Sequence, residues 1–246
     1  MGEALEDLTA PDAAPGARRA GSPALRSPRA ARIHEALLAA ILDHRLPPGA
    51  RLPEDELGAI YGASRTIVRP ALQALAHERV VTIEPNRGAH VAEPTAEEAR
   101  HVFEARSVIE PRLASMAAGL ATAKDAARLK RHIRDENAAL ASGDAGRAIA
   151  LSGAFHLAIA EIANQPILSG FVRELVSRSS LIIALYWRRP DAICERHAHG
   201  ALVDAIGRGD GKLAAELMMS HLVDLLSGLD LRARKQVPAK LSELLK

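Results

Sequence analysis

Gly62-Ala63-Ser64-Arg65-Thr66-Ile67-Val68-Arg69-Pro70-Ala71-Leu72-Gln73-Ala74-Leu75 is the stretch whose reading decides the fold of the first third of the chain. A short glycine-containing turn leads into Ser64, a good N-cap because its hydroxyl accepts from first-turn N–H groups. At helical spacing Val68, Ala71, Leu72 and Leu75 fall on one stripe, and Arg65, Thr66, Arg69 and Gln73 on the opposite side. Such a front suits the major groove of duplex DNA. Arginine forks onto guanine, while Gln, Thr and first-turn N–H groups reach bases or phosphates. An ordinary surface helix has the same two-sided pattern, so the stretch alone supports both readings equally.

Its neighbours tip the balance. Residues 29–44 carry Ile33, Leu37, Ala40 and Ile41 at helical spacing, and Leu46-Pro47-Pro48-Gly49 ends that helix. A second, short helix over 54–61 turns Leu57, Ile60 and Tyr61 inward. Beyond the third helix, Val81-Thr82-Ile83 is β-branched, Pro85-Asn86-Arg87-Gly88 is a turn, and Ala89-His90-Val91 resumes an extended pattern. Three helices and a β-hairpin make a winged helix-turn-helix. The third helix then reads the major groove, and Arg87 at the wing tip reaches the neighbouring backbone or minor groove.

Composition narrows the partner. The net charge of the 246-residue chain is only +2, and residues 29–92 hold eight arginines against seven acids, so there is no basic block. Aromatics make up 2% of the chain, which removes the stacking platforms of RNA and single-strand binders and leaves duplex DNA. No run approaches the length of a membrane-spanning helix. Residues 1–28 lack a signal-peptide core and read as a disordered arm. Cys194 is the sole cysteine, which excludes an internal disulfide and a Cys-based zinc site. A cytoplasmic protein with no membrane partner is expected.

The runs Leu46-Pro47-Pro48-Gly49-Ala50-Arg51-Leu52, Glu54-Asp55-Glu56-Leu57, Ser64-Arg65-Thr66, Val68-Arg69, Ala71-Leu72 and Asn86-Arg87-Gly88 resemble, in order, the DNA-binding domain of the GntR family of bacterial regulators. The resemblance implies DNA contacts from Ser64, Arg65, Thr66, Arg69 and Gly88, beside Gln73 and Arg87. It also exposes departures. Asp55 stands where many members carry a phosphate-contacting Arg, and Ile67 and Pro70 replace the usual Pro and Glu. Pro70 removes a backbone bond to Thr66, at a cost of roughly 3 kcal/mol in a regular helix interior. The plain reading is a tolerated local kink; the sharper one is that the kink re-aims Arg65 and Arg69.

After a short linker, Glu93-Pro94-Thr95, helical segments follow at about 96–121, 124–141, 145–163, 166–188, 191–208 and 211–230. Their short breaks favour an all-α antiparallel bundle of six or seven helices. The expected organisation is an arm (1–28), a winged helix (29–93), a helical effector-binding and dimerisation domain (94–232) and a basic tail (233–246). His101, His132, His197 and most other histidines sit on polar faces or segment ends. His156, His199 and His221 instead sit on apolar stripes. They read either as separate core histidines or as three imidazoles converging on a metal. Arg106 likewise lands among Ala99, Val102, Phe103, Ile109, Leu113 and Ala117. A buried guanidinium needs an anion, and Glu110 one turn on competes with an external carboxylate.

Phe155-His156, His199-Gly200-Ala201-Leu202-Val203-Asp204-Ala205-Ile206-Gly207-Arg208-Gly209-Asp210 and His221-Leu222 resemble the FCD effector-binding domain of FadR-type GntR regulators. In metal-binding members an Asp four residues before the first His completes the ligands, and here that residue is Ser152. The resemblance implies a divalent metal of the zinc or nickel class on His156, His199 and His221, completed by water or effector, or else weakened metal binding. It implies that Arg106 holds an acid group of the effector near Ser152, and that Asn164 is a structural cap. The expected function is a ligand-responsive, homodimeric regulator of a palindromic operator, in a family whose members most often repress. Two other classes compete: a metal-dependent hydrolase using the three histidines, which lacks a recognisable carboxylate base, and an architectural DNA binder with a structural bundle.

Overall fold

The computed structural model describes residues 25, 27–187 and 198–232. Most of the expected arm, Cys194, His197, the start of the segment expected at 191 and the basic tail lie outside the described residues.

Helix α1 (Pro28–Leu42) opens at Ser27, whose hydroxyl accepts from Ala30 N–H, with Pro28 in the first turn where its missing donor costs nothing. Helix α2 (Glu54–Tyr61) stops at Gly62, whose left-handed conformation (φ 56°) turns the chain directly into α3 (Arg65–His77). One helix is kept across Pro70. Strands β1 (Val81–Glu84) and β2 (Gly88–Val91) pair antiparallel with Val81 opposite Val91 and Glu84 opposite Gly88. Asn86 (φ 64°) and Gly88 (φ 82°) close the hairpin. Leu37, Ile41, Leu52, Leu57, Val68, Leu72 and Leu75 form the core beneath, and the stripe expected for α3 is the one buried. Fully burying each such side chain contributes roughly 1.5–3 kcal/mol.

Helices α4 (Ala96–Leu120), α5 (Ala123–Ala141), α6 (Ala145–Ile162), α7 (Pro166–Tyr186), α8 (Ala198–Gly207) and α9 (Gly211–Ser227) form the bundle. The sequence breaks turn out to be caps. Thr95 with Glu98 and Thr122 with Asp125 make capping boxes, and Asp144, Gln165 and Asp210 cap α6, α7 and α9. Asn164, at φ 51°, makes the turn after α6. Helix α4 runs along α9 and also touches α6, α7 and α8, while α5 packs on α6 and α8. The fold is mostly α, a winged helix followed by an antiparallel bundle, as the sequence predicts.

One expectation is corrected. Helix α6, 18 residues with a mean hydropathy of 1.2, is long and apolar enough to cross a membrane by length and composition. Half of the helix is buried, with Phe155 and Ile159 in the bundle core, which accounts for much of that composition.

The two parts are joined through α6 and α7. Leu181 of α7 is fully buried in the winged-helix core. Its neighbour Ser180 meets His44 Nε2 at 3.1 Å, and Tyr186 donates to the Pro94 carbonyl at 3.0 Å. A Cβ on Gly146 would sit 2.6 Å from the Asp43 carbonyl oxygen, so this close approach of α6 to the end of α1 requires glycine.

Candidate functional site

The outer side of α3 and the wing tip carry the residues expected to meet DNA. Ser64, Arg65, Thr66, Arg69, Gln73, Arg87 and Gly88 are all exposed. Ser64 takes the N-cap position, but its hydroxyl makes no cap bond; it meets the Thr66 hydroxyl at 2.8 Å instead. This corrects the expected cap, because a nearer hydroxyl competes successfully with the backbone. The arginines are not free cations. Arg65 donates from Nε and Nη2 to both carboxylate oxygens of Asp55. Arg69 does the same to Glu54 at 2.8 and 2.9 Å, and Arg87 meets Glu84 at 3.3 Å. These partners hold the Asp55 and Glu54 carboxyls below their ordinary range. Asp55 is thus placed on one of the arginines expected to meet DNA.

A second constellation lies inside the bundle. Arg106 and Glu110 (α4), Glu136 (α5), His156 (α6), His199 (α8) and His221 (α9) are each no more than 4% exposed. Arg106 Nε donates to Glu110 Oε1 at 2.5 Å, and its Nη1 donates to the Ser179 hydroxyl at 2.8 Å. The intrahelical partner is therefore real. Arg106 Nη2, however, is buried with no hydrogen-bond partner, an expensive state for a charged donor. Ser152 is buried one turn before His156.

Two carboxylates orient the histidines. Glu110 Oε2 lies 2.5 Å from His156 Nδ1, and Glu136 Oε2 lies 3.0 Å from His199 Nδ1. Those contacts place the ring hydrogens on Nδ1 and leave Nε2 as a lone pair, an assignment made from the partners. His221 Nε2 sits 3.1 Å from His199 Nε2 and 3.3 Å from His156 Nε2. It carries at most one hydrogen and cannot donate to both. A tetrahedral ion with imidazole ligands at about 2.05 Å sets neighbouring nitrogens about 3.3 Å apart. The three ligand nitrogens, all within 4.8 Å of one another, fit that demand.

Electrostatics agree. Burial pushes the Glu110 carboxyl up, but Arg106 and His156 outweigh it and lower the pKa to about 2. Burial holds His156 below the ordinary histidine range against the pull of Glu110. Burial, helped by His199 and His156, holds His221 well below it. Both rings are therefore neutral near pH 7, the state a metal ligand needs.

Residues 29–91 match the family of bacterial regulatory proteins, gntR family, and residues 101–224, half of the chain, match the FCD domain. The chain belongs to the GntR family. The HTH-type transcriptional regulator LutR of Bacillus subtilis (strain 168) is 25% identical over 213 residues, covering 76% of this chain and 96% of LutR. The HTH-type transcriptional repressor RspR of Escherichia coli (strain K12) is 24% identical over 196 residues, 78% of this chain and 85% of RspR. A GntR transcriptional regulator from Rhodococcus sp. RHA1, known as a crystal structure, superimposes with a TM-score of 0.73 at 27% identity, over 82% of this chain and 97% of that one. The chain is a ligand-responsive, DNA-binding transcriptional regulator with an FCD domain, the FadR-type arrangement. Neither the hydrolase nor the architectural reading is favoured by these relatives.

The structure brings His156, His199 and His221 together and sets Arg106 beside them through Glu110. Sequence spacing misses two partners in the cluster, Glu136 and Ser179. Glu136 had a faint signal, an acid seven residues after the buried Leu129 on the same stripe of α5. Ser179 had none. His34, buried in α1 and 3.0 Å from Glu78, is a further inward histidine, distant from the cluster in sequence and structural rather than ligating in its surroundings.

Proposed function

We propose that the FCD-type domain binds a small organic acid through Arg106, beside a divalent metal held by His156, His199 and His221, and thereby alters the affinity of a homodimer for a palindromic operator. The observation that carries the reading is the buried Arg106 guanidinium, which spends two of its nitrogens on Glu110 and Ser179 and leaves Nη2 without a partner. A carboxylate oxygen is the natural complement of that donor. The three Nε2 lone pairs supply imidazole ligation of the zinc or nickel class, and a bound ion would offer its remaining position to the same acid or to water. Ser152 is a neutral hydroxyl where a carboxylate ligand would bind the ion more tightly; here it serves the effector.

The proposed functional units are residues 29–93 for DNA and 94–232 for effector and dimer, in a cytoplasmic repressor. Three consecutive residues of α7 support a route between them. Ser179 accepts from Arg106, Ser180 meets His44, and Leu181 enters the winged-helix core. An effector that moves the Arg106 guanidinium acts on the same helix that seats the winged helix. Switching requires that the acid bind the DNA-competent and DNA-incompetent arrangements with different affinity.

The test is a thermal-shift screen of small mono- and dicarboxylates on protein purified without chelators, with its metal content measured first. A carboxylate at 100 times its dissociation constant stabilises by about 2.7 kcal/mol, a readily measured rise in melting temperature. Arg106→Ala should abolish the rise, and the same acid should release or strengthen binding to the protein's own upstream DNA in a gel-shift. Failure of every carboxylate to shift the wild type would overturn the anchor. A metal-free protein insensitive to zinc and nickel would remove the metal.

A further inference from the structure

We infer that Asp55 is a specificity-determining residue of the DNA-reading face, holding the flank of Arg65 so that the end of its guanidinium is presented as a fixed fork to one guanine. A guanidinium has two edges for bidentate bonding: the flank, Nε with Nη2, and the end, Nη1 with the second hydrogen of Nη2. Asp55 occupies the flank of Arg65 with both carboxylate oxygens. Glu54 occupies the flank of Arg69 in the same way. The end edge, which matches guanine O6 and N7, is left for a base in each case.

Position makes Asp55 a suitable holder. With Glu54 and Glu56 it forms the acidic first turn of α2, where the helix dipole favours a carboxylate. Its partner opens α3, so the tight turn at Gly62 fixes the distance between them. Both side chains are largely exposed, 67% for Asp55 and 64% for Arg65, so the pair is open to an incoming duplex and is not a buried prop of the fold. An unheld arginine has many rotamers to lose on docking; one already bonded along its flank has lost them beforehand.

The charge balance of the face points the same way. Arg65, Arg69 and Arg87 each meet a carboxylate, from Asp55, Glu54 and Glu84. Surface arginines cancelled in this way release few counterions from phosphates, so they add little sequence-independent affinity. An acid beside a recognition arginine weakens binding to any DNA, and it is useful there only if it sharpens binding to one sequence. Asp55 trades affinity for discrimination.

The test uses the full-length protein and its Asp55→Asn and Asp55→Glu variants, each selecting from a pool of randomised duplexes, followed by binding to the enriched and to an unrelated duplex across a salt series. The wild type should enrich a motif with a strong G·C preference at one position, or at a symmetric pair of positions. In Asp55→Asn that preference should fall about tenfold, the worth of one good bidentate base contact, while the other positions hold. Binding to unrelated DNA should tighten, with a salt slope steeper by about one ion. Asp55→Glu, which keeps the carboxylate, should retain most of the preference. If Asp55→Asn enriches the wild-type motif with equal strength at every position and merely binds all DNA more tightly, Asp55 is an electrostatic brake and the proposal is overturned. A wild type that enriches no motif would contradict sequence-specific DNA binding itself, a different failure. Equal melting temperatures of the three proteins exclude misfolding as the cause.

Discussion

Glu110→Gln is the sharpest probe of the buried network, because its cost can be reached by two independent routes. The substitution keeps size and one accepting oxygen but removes the charge that faces Arg106 and His156. By linkage, a carboxyl whose pKa falls from 4.5 to about 2 on folding, two and a half units, contributes about 3 kcal/mol at neutral pH. By the second route, breaking a buried ion pair and leaving one charge uncompensated costs about 3–5 kcal/mol. The folded pKa is depressed, so the contribution is complete above 4.5 and is lost as pH falls from there toward 2. Urea unfolding of metal-free wild type and variant at a series of pH values measures it. The variant should be about 3 kcal/mol less stable at pH 7, a large share of the roughly 5–15 kcal/mol of a typical domain. The gap should close as the pH approaches 2. Equal stabilities at pH 7, or a gap that persists unchanged into acid, would refute the reasoning.

The remaining predictions concern the two prolonged departures from regular design. Pro70→Ala should restore the backbone bond to Thr66 and raise stability by about 1–3 kcal/mol in thermal or urea unfolding, with the selected duplex motif unchanged; a changed motif would establish that the proline aims Arg65 and Arg69. The double substitution Arg106→Met, Glu110→Leu should cost about 1–3 kcal/mol in urea stability, because apolar residues replace the ion pair at little cost but leave the buried His156 Nδ1–H without Glu110, while eliminating any carboxylate-induced thermal shift. A double variant that still responds to the carboxylate would place the anchor elsewhere.

How much was legible in the sequence depended on whether a feature is written along one helix or between two. The α3 stripe, Val68 to Leu75, is a local pattern, and it is buried as its periodicity predicts. The bundle breaks were legible because Thr95, Thr122, Asp144 and Asp210 are capping chemistries confined to a few consecutive residues. His156, His199 and His221 stood out because each interrupts an apolar stripe. Their convergence is a property of how α6, α8 and α9 cross, which no spacing encodes. Glu136 was hidden differently: α5 is dense in charge, and only the packing of α8 against it selects one acid to meet His199. Asp55 was visible as a departure from the family pattern, yet its partner lies ten positions on, across the Gly62 turn. Ser64 misled because Thr66 offers its hydroxyl a nearer partner than the backbone.

The same arginine–carboxylate fork appears in two dielectrics, and the setting decides what each is for. Around Arg65 and Asp55, both exposed, water screens the attraction and the pair adds little to stability; what it controls is the direction of the guanidinium. Around Arg106 and Glu110, both 2% exposed, each charge depends on the other, so losing one endangers the fold. Yet the ion pair itself adds little to stability that apolar side chains of similar volume would not, apart from the Glu110 bond to His156. Arg106 also keeps one donor nitrogen unsatisfied, a cost with no structural return. On the proposed reading, the pair is kept for the carboxylate that its unused donor would bind. The apolar double substitution separates the proposed effector role from the core: the fold should survive it and the response should not.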